Sequence, residues 1–135
     1  MRVLTIIPAR SGSKGVKKKN IKLLDGVPLL NWTIQAALSA SYKLDEIIVS
    51  TDSDEIAQIA KNSAVEVPFI RPKNLATDTA KSIDVILHAL KFMECKLNLE
   101  YDWVLTLQPT TPFRSHIDIE QALDLAKNSD CDSVI

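Results

Sequence analysis

The 135-residue chain has few of the residues that mark several large classes of protein. Only 5% of its residues are aromatic, it has three glycines and two cysteines, and its formal net charge is −1. A charge so close to neutral disfavours general nucleic-acid binding, which depends on a basic surface. Cys95 and Cys131 are far apart and lie in no CxxC motif, so we expect two reduced, mostly buried thiols rather than a disulfide framework or a zinc site.

Long apolar runs are also missing. No stretch approaches the roughly 20 apolar residues of a membrane helix, and the apolar start of the chain is broken at Pro8 and has no small-residue cleavage site. We therefore expect a cytoplasmic protein that has no membrane partner. With 46% hydrophobic and 24% charged residues, the composition is typical of one soluble globular domain.

Short β-branched runs alternate with amphipathic stretches along the chain. The predicted strands are residues 3–8, 46–51 and 103–107, with a weaker extended segment at 65–70 that contains Pro68. The predicted helices are residues 28–40, a segment opened by Asp52, 80–95 and 117–126. The predicted core face of the third helix consists of Ile83, Ile86, Leu87, Leu90 and Met93. This alternation predicts a three-layer α/β/α sandwich with a mostly parallel, Rossmann-like sheet.

Ligands of open parallel sheets bind outside the carboxyl ends of the strands. That rule points to the loops after the predicted strands, which are residues 9–20, 50–54, 71–82 and 108–114. We expect these four loops to share one rim.

The first of these loops has an unusual charge pattern. Residues 10–22 hold six of the sixteen basic residues and no acidic residue. Gly12 and Gly15 permit a positive φ and close approach of backbone N–H groups to an anion. The loop matches neither GxxxxGK[ST] nor GxGxxG, so neither a P-loop nor a dinucleotide fold is indicated.

Basic side chains in this loop favour a polyphosphate ligand. The residues that we predict to contact it are Arg10, Lys14 and Lys19. For Lys17 and Lys18 we favour the plainer interpretation, a solvated basic surface or a nucleic-acid patch.

Five ordered segments resemble the CMP-sialic acid synthetases, also called acylneuraminate cytidylyltransferases. The resemblance begins with IPARSGSKG at residues 7–15, followed by Lys19 and Asn20. It continues through LDGVPL at 24–29, VSTD at 49–52, RP with LATD at 71–78, and QPTTPFR at 108–114. The resemblance implies a nucleotide-diphospho-sugar transferase type of fold.

The resemblance also implies the activity and its residues. It implies attack of the anomeric hydroxyl of a nine-carbon keto-sugar acid on the α-phosphorus of CTP, which releases pyrophosphate. On this basis the nucleotide-binding residues are Arg10, Ser13, Lys14, Gly15, Lys19, Asn20, Arg71, Ala80 and Ser82, of which Arg10 and Lys19 also serve catalysis. Gln108 and Thr110 would bind the sugar acid. Which sugar acid is the acceptor stays open.

The family's magnesium-binding carboxylates and its dimerisation segment would lie beyond Ile135. The resemblance therefore implies Mg²⁺ and a homodimer without assigning a metal ligand to this chain. We expect residues 1–135 to form a single nucleotidyltransferase domain that is incomplete at its C-terminus. Residues 133–135 resemble the start of a further strand, and an unpaired sheet edge there would favour marginal stability or self-association.

Several polar and aromatic residues have a plainer interpretation beside the functional one. We favour helix N-capping over ligand binding for Asp52. Asp78 would either cap the third helix or form a salt bridge with Arg71, and His88 is expected to be a solvated surface histidine. Trp32 and Trp103 are expected in the core. The alternative function is a nucleotide-binding module without turnover.

Overall fold

A computed structural model describes residues 1–12, 18–40, 44–111 and 113–134. Its strands are β1 (Val3–Pro8), β2 (Leu23–Leu24), β3 (Val27–Pro28), β4 (Glu46–Ser50) and β5 (Trp103–Thr106). Its helices are α1 (Leu29–Ser39), α2 (Asp54–Asn62), α3 (Ser82–Leu97) and α4 (His116–Asn128). The helices and the long strands lie where the sequence predicts them, with bounds that differ by at most two residues.

The main sheet is parallel and has the order β4-β1-β5. In the centre of the sheet, Ile6 of β1 is in register with Ile48 of β4 on one side and with Thr106 of β5 on the other. The extended segment after α2 adds two isolated parallel bridges to the side of β4, Ile48 with Glu66 and Thr51 with Ile70. A continuous strand does not form there because Pro68 has no N–H to donate.

Side chains of β1 alternate between two hydrophobic cores, as the period of a strand requires. Val3 and Ile7 lie in the core that α1, α2 and α4 cover. Leu4 and Ile6 lie in a second core, on the other face, that α3 covers. Helices on both faces of a parallel sheet confirm the predicted three-layer α/β/α sandwich.

Helix α3 presents to the sheet a face that overlaps the predicted one in part. Of the predicted residues, Met93 is buried and Ile86 and Leu90 pack against the second core, whereas Ile83 is 55% and Leu87 40% exposed. Val85 and Ala89 are buried in their place. Ala89 explains the difference, because a small residue at the centre of the contact lets the helix backbone lie close to the strands beneath it.

The start of α2 also corrects the sequence interpretation. The N-cap is Ser53, whose hydroxyl accepts a hydrogen bond from Ile56 N at 3.3 Å. Asp52 is not the cap, because its carboxylate accepts hydrogen bonds from Ser11.

Strands β2 and β3 form a small antiparallel hairpin that the sequence analysis did not predict. Asp25 and Gly26 have φ values of 53° and 77°, so the turn uses two left-handed residues. An Asp-Gly pair between apolar residues is the sequence signal for such a turn. Trp32 Nε1 donates to Leu24 O at 3.0 Å, which holds the hairpin against α1.

Three smaller expectations are corrected. Ser133 and Val134 lie outside any strand, and Ile135, the third residue of that stretch, lies outside the described residues. Cys95 is exposed rather than buried. Trp32 and Trp103 are half-buried, at the margin of the core rather than inside it.

Candidate functional site

The carboxyl ends of β1 and β5 border a cavity of about 310 Å³. Eight residues predicted from the sequence line it: Arg10, Lys19, Asn20, Arg71, Ala80, Ser82, Gln108 and Thr110. The other three, Ser13, Lys14 and Gly15, lie outside the described residues. The cavity is also lined by residues that the sequence did not assign to the site, which are Pro8, Gly12, Leu75, Thr77, Asp78, Val85, Ile86 and Thr106.

Three of the four predicted loops line the cavity, and the fourth supports them. Residues 50–54 do not line it, but Ser50 and Asp52 hydrogen-bond to the loops that do. The shared rim is confirmed for three of the four loops, and the role of the second loop is structural.

Arg10 is held in place from several directions. Its carbonyl oxygen accepts a hydrogen bond from Asn20 Nδ2 at 3.0 Å, and Asn20 is itself only 8% exposed. Its guanidinium Nη1 lies 2.6 Å from Asp78 Oδ1.

A methyl group added at Gly12 would lie 3.7 Å from Arg10 Nη1, in ordinary contact. Gly12 therefore packs beside Arg10, and among the described glycines only Gly26 has the positive φ that we expected of the basic loop.

Arg71 is the most deeply buried cation of the cavity, with 4% of its surface exposed. Its Nε donates to Ser50 Oγ at 3.1 Å, its Nη2 to Ser50 O at 2.6 Å, and its Nη1 to Leu75 O at 3.2 Å. Burial lowers the pKa of Arg71, and the nearby carboxylate of Asp52 opposes that shift. Two of its five N–H groups thus fasten the segment before α3 to the end of β4, and a third forms a hydrogen bond within that segment.

Asp52 fastens the first loop in the same way. Its Oδ1 accepts from Ser11 N and its Oδ2 from Ser11 Oγ, both at 2.8 Å. Partial burial raises the pKa of Asp52, but the two hydrogen bonds from Ser11 lower it, and the net direction is downward. A bidentate carboxylate that stays ionised fixes the chain at the point where the loop leaves β1.

The predicted partner of Asp78 was wrong. Asp78 pairs with Arg10 instead of Arg71, and it does not cap α3, whose N-cap is Lys81. The sequence favoured Arg71 because it is only seven residues from Asp78, whereas Arg10 comes close to Asp78 only in the folded chain. Among the described residues, the lining of the cavity therefore combines three cationic side chains, Arg10, Lys19 and Arg71, with one carboxylate.

The loop after β5 supplies Gln108 and Thr110, both exposed at the cavity. The carbonyl oxygen of Gln108 accepts from Arg114 Nη2 at 3.0 Å and from Thr111 N at 3.2 Å. The backbone of this loop is thus closed upon itself, which leaves the Gln108 and Thr110 side chains available to a ligand.

His88 lies outside the cavity and is half-buried, so the expectation of a solvated histidine is corrected. Its ring contacts the edge of Phe69 with centroids 4.6 Å apart. Burial, and to a smaller extent the charge of Arg71, lowers the pKa of His88. The contact with Phe69 contributes to the burial, and the burial disfavours the charged imidazolium.

The ranges that the structure describes contain no cluster of three His, Cys, Asp or Glu side chains that would hold a metal ion. They also contain no helix long and apolar enough to cross a membrane.

The chain is similar to known proteins both in sequence and in fold. A family model described as cytidylyltransferase matches residues 4–134. The chain is 45% identical over 128 residues to a CMP-N,N'-diacetyllegionaminic acid synthase of Legionella pneumophila, covering 94% of this chain and 54% of that protein. It is 42% identical over 124 residues to an N-acylneuraminate cytidylyltransferase of Escherichia coli, covering 92% of this chain and 28% of that protein.

Two further matches extend this comparison. A pseudaminic acid cytidylyltransferase of Campylobacter jejuni is 37% identical, with 92% of this chain and 53% of that protein covered. The solved structure of a CMP:2-keto-3-deoxy-manno-octonic acid synthetase complexed with CTP superposes with a TM-score of 0.76 at 21% identity, covering 95% of this chain and 48% of that chain. At that identity the likeness concerns the fold. The chain spans about half the length of the legionaminic and pseudaminic acid relatives.

Proposed function

The chain belongs to the cytidylyltransferase family, and we propose that it binds CTP and transfers CMP to a sialic-type keto-sugar acid. In this reaction the anomeric oxygen of the sugar acid forms a bond to the α-phosphorus. The bond between that phosphorus and the bridging oxygen breaks, pyrophosphate leaves, and the hydroxyl proton is released. The relatives named for legionaminic, N-acylneuraminic and pseudaminic acids support this class of acceptor.

The observation that carries the proposal is the convergence of Arg10, Lys19 and Arg71 on one cavity at the carboxyl ends of the strands. A triphosphate brings several negative charges, and the departing pyrophosphate gains more in the transition state. Fixed cations lower the energy of that state because they need no reorganisation when the charge develops. We assign Arg10 and Lys19 to the triphosphate, and we expect Ser13, Lys14 and Gly15 of the same loop to join them.

The other lining residues divide into two groups. We assign Arg71, Ala80 and Ser82 to the cytosine and the adjacent ribose, with Asn20 supporting Arg10 through the backbone. Gln108 and Thr110 come from the loop after β5, so a sugar acid held there would approach the nucleotide from a different strand. A site that hydrogen-bonds one base edge disfavours other bases, because its buried partners would be left unpaired.

Magnesium is implied by the resemblance, but the described residues do not fit it. Asp78 is the one carboxylate among the described lining residues, and it is paired with Arg10. No described residue is therefore assigned as a metal ligand. The homodimer and the cytoplasmic location stay predictions.

The second candidate is a nucleotide-binding module without turnover. The observation that favours it is the pairing of Asp78, the one carboxylate among the described lining residues, with Arg10. Pyrophosphate release, measured with CTP, Mg²⁺ and legionaminic, N-acetylneuraminic or pseudaminic acid, separates the two candidates. Release with one of these acids supports transfer, and CTP binding without release supports the module.

Lys19→Ala tests the nucleotide site itself. Loss of a charge-assisted phosphate contact is expected to weaken CTP binding by about 1.5 to 3 kcal/mol, which is about 10- to 150-fold in Kd. The matched control is Lys22→Ala, which removes an exposed lysine of the same basic stretch that does not line the cavity. Calorimetric titration should show CTP preferred over UTP, ATP and GTP. Equal CTP affinity in wild type and Lys19→Ala would refute the phosphate assignment.

A further inference from the structure

The ion pair between Arg10 and Asp78 joins two loops that both line the cavity. Arg10 follows β1, Asp78 precedes α3, and the charged atoms lie 2.6 Å apart. An anionic ligand that binds Arg10 must therefore compete with a carboxylate already in place. We propose that Asp78 is an affinity-determining residue that competes with phosphate for Arg10, an inference that rests on the nucleotide site proposed above.

The first loop does not need Asp78 to keep its backbone in position. Asn20 Nδ2 holds the carbonyl oxygen of Arg10, and Asp52 holds both the amide and the hydroxyl of Ser11. The backbone at Arg10 is thus fixed by two other side chains, those of Asn20 and Asp52. Removing the Asp78 charge frees the guanidinium without releasing the loop.

The segment that carries Asp78 is likewise held by other contacts. Arg71 fastens its start to Ser50 and to the carbonyl oxygen of Leu75. Farther along, the amide of Ala80 donates to Thr77 O at 3.2 Å. Replacing the Asp78 carboxylate by an amide therefore changes the charge of the cavity and keeps its shape.

The exposure of the pair sets the size of the effect. The Arg10 side chain is 26% and the Asp78 side chain 49% exposed, so water screens their attraction. Removing an ion pair that is as exposed as this one changes an equilibrium constant by at most about fivefold. Asp78 also repels an incoming polyphosphate directly, and both effects act in the same direction.

The test is Asp78→Asn, titrated by calorimetry with CTP and separately with inorganic tripolyphosphate. We expect the Kd of each to fall about two- to fivefold at low salt, with a smaller gain at high salt. Asp78→Glu keeps the charge and should restore an affinity close to that of wild type. The matched control is Glu55→Gln, which removes a carboxylate that pairs with Lys18 at 3.3 Å outside the cavity. It should change the Kd less than Asp78→Asn does.

A double-mutant cycle assigns the gain to Arg10. In an Arg10→Gln background, the gain from Asp78→Asn should be smaller than in wild type, because no guanidinium is left to free and only the direct repulsion is removed. Weaker binding in Asp78→Asn, or an equal gain in the Arg10→Gln background, would overturn the inference. If the wild type fails to bind CTP, the proposed function fails, while the tripolyphosphate titrations still decide the role of Asp78. Failure of wild type and Asp78→Asn alike to bind tripolyphosphate would overturn the inference as well.

Discussion

Arg71→Lys is the substitution that most directly separates the architecture of the site from its charge. Arg71 reaches Ser50 through Nε and Nη2 and the carbonyl oxygen of Leu75 through Nη1. A lysine keeps the positive charge, but its three donors sit on one atom and cannot span both partners. The variant therefore keeps one hydrogen bond of the three and loses two.

The magnitude follows from those two bonds. Hydrogen bonds to charged groups contribute about 1.5 to 3 kcal/mol each. The carbonyl oxygen of Ser50 keeps a second donor, Ala9 N at 2.9 Å, so it is not left unpaired. We therefore take the lower part of the range and expect the free energy of unfolding to fall by about 3 kcal/mol. For a small domain whose unfolding free energy is about 5 to 15 kcal/mol, this is a large loss.

Urea unfolding measures the loss directly. With a denaturant slope of about 2 kcal/mol per molar, the midpoint should fall by about 1.5 M. The matched control is Lys73→Gln, which changes an exposed cation of the same segment and should leave the midpoint unchanged. Hydrogen exchange should also become faster at the amides of Leu75, Ala76 and Ala80, whose hydrogen bonds lie within that segment. A decrease of less than about 1 kcal/mol in the free energy of unfolding, with hydrogen exchange unchanged at these amides, would refute the structural role of Arg71.

Two predictions concern pH. Hydrogen bonds from Ser11 hold the pKa of Asp52 below the usual 3.8, so Asp52→Asn should lower the free energy of unfolding near pH 7. The difference in unfolding free energy between this variant and wild type should shrink as the pH falls below 3.8 and through the folded pKa. Equal differences in urea unfolding at about pH 7 and about pH 3 would contradict this prediction. Burial lowers the pKa of His88 from 6.5, so protonation favours the unfolded chain and stability should fall as the pH drops below that value. His88→Leu should weaken this dependence in thermal unfolding between about pH 7 and pH 5, whereas His116→Leu, the control on an exposed histidine, should retain it.

The layered fold could be predicted from the sequence because each long strand and helix has its own local period. The strand at residues 3–8 is a short apolar run that ends in proline, and α3 repeats apolar residues at helical spacing. The order of such segments limits the topology to a parallel sheet with helices on both faces. The rim followed from the same order, since the carboxyl ends of parallel strands meet at one edge.

The partners of the polar residues could not be predicted, because they come from distant parts of the chain. Asp52 and Ser53 are both good N-cap residues, and the local sequence does not choose between them. The choice is made by Ser11, 41 residues away, which occupies the carboxylate of Asp52 and leaves the cap to Ser53. The partner of Asp78 and the buried face of α3 are set by tertiary contacts in the same way.

The end of β4 organises the site although it contributes nothing to the lining of the cavity. The carbonyl oxygen of Ser50 accepts from Ala9 N and from Arg71 Nη2, so one atom joins the loop after β1 to the segment before α3. Two residues farther on, Asp52 holds Ser11 of the same first loop. A sequence motif at residues 49–52 thus acts by placing other residues, and its substitution should disturb both walls of the cavity at once. This separates its effect from that of Lys19, whose replacement should change ligand affinity and leave the fold intact.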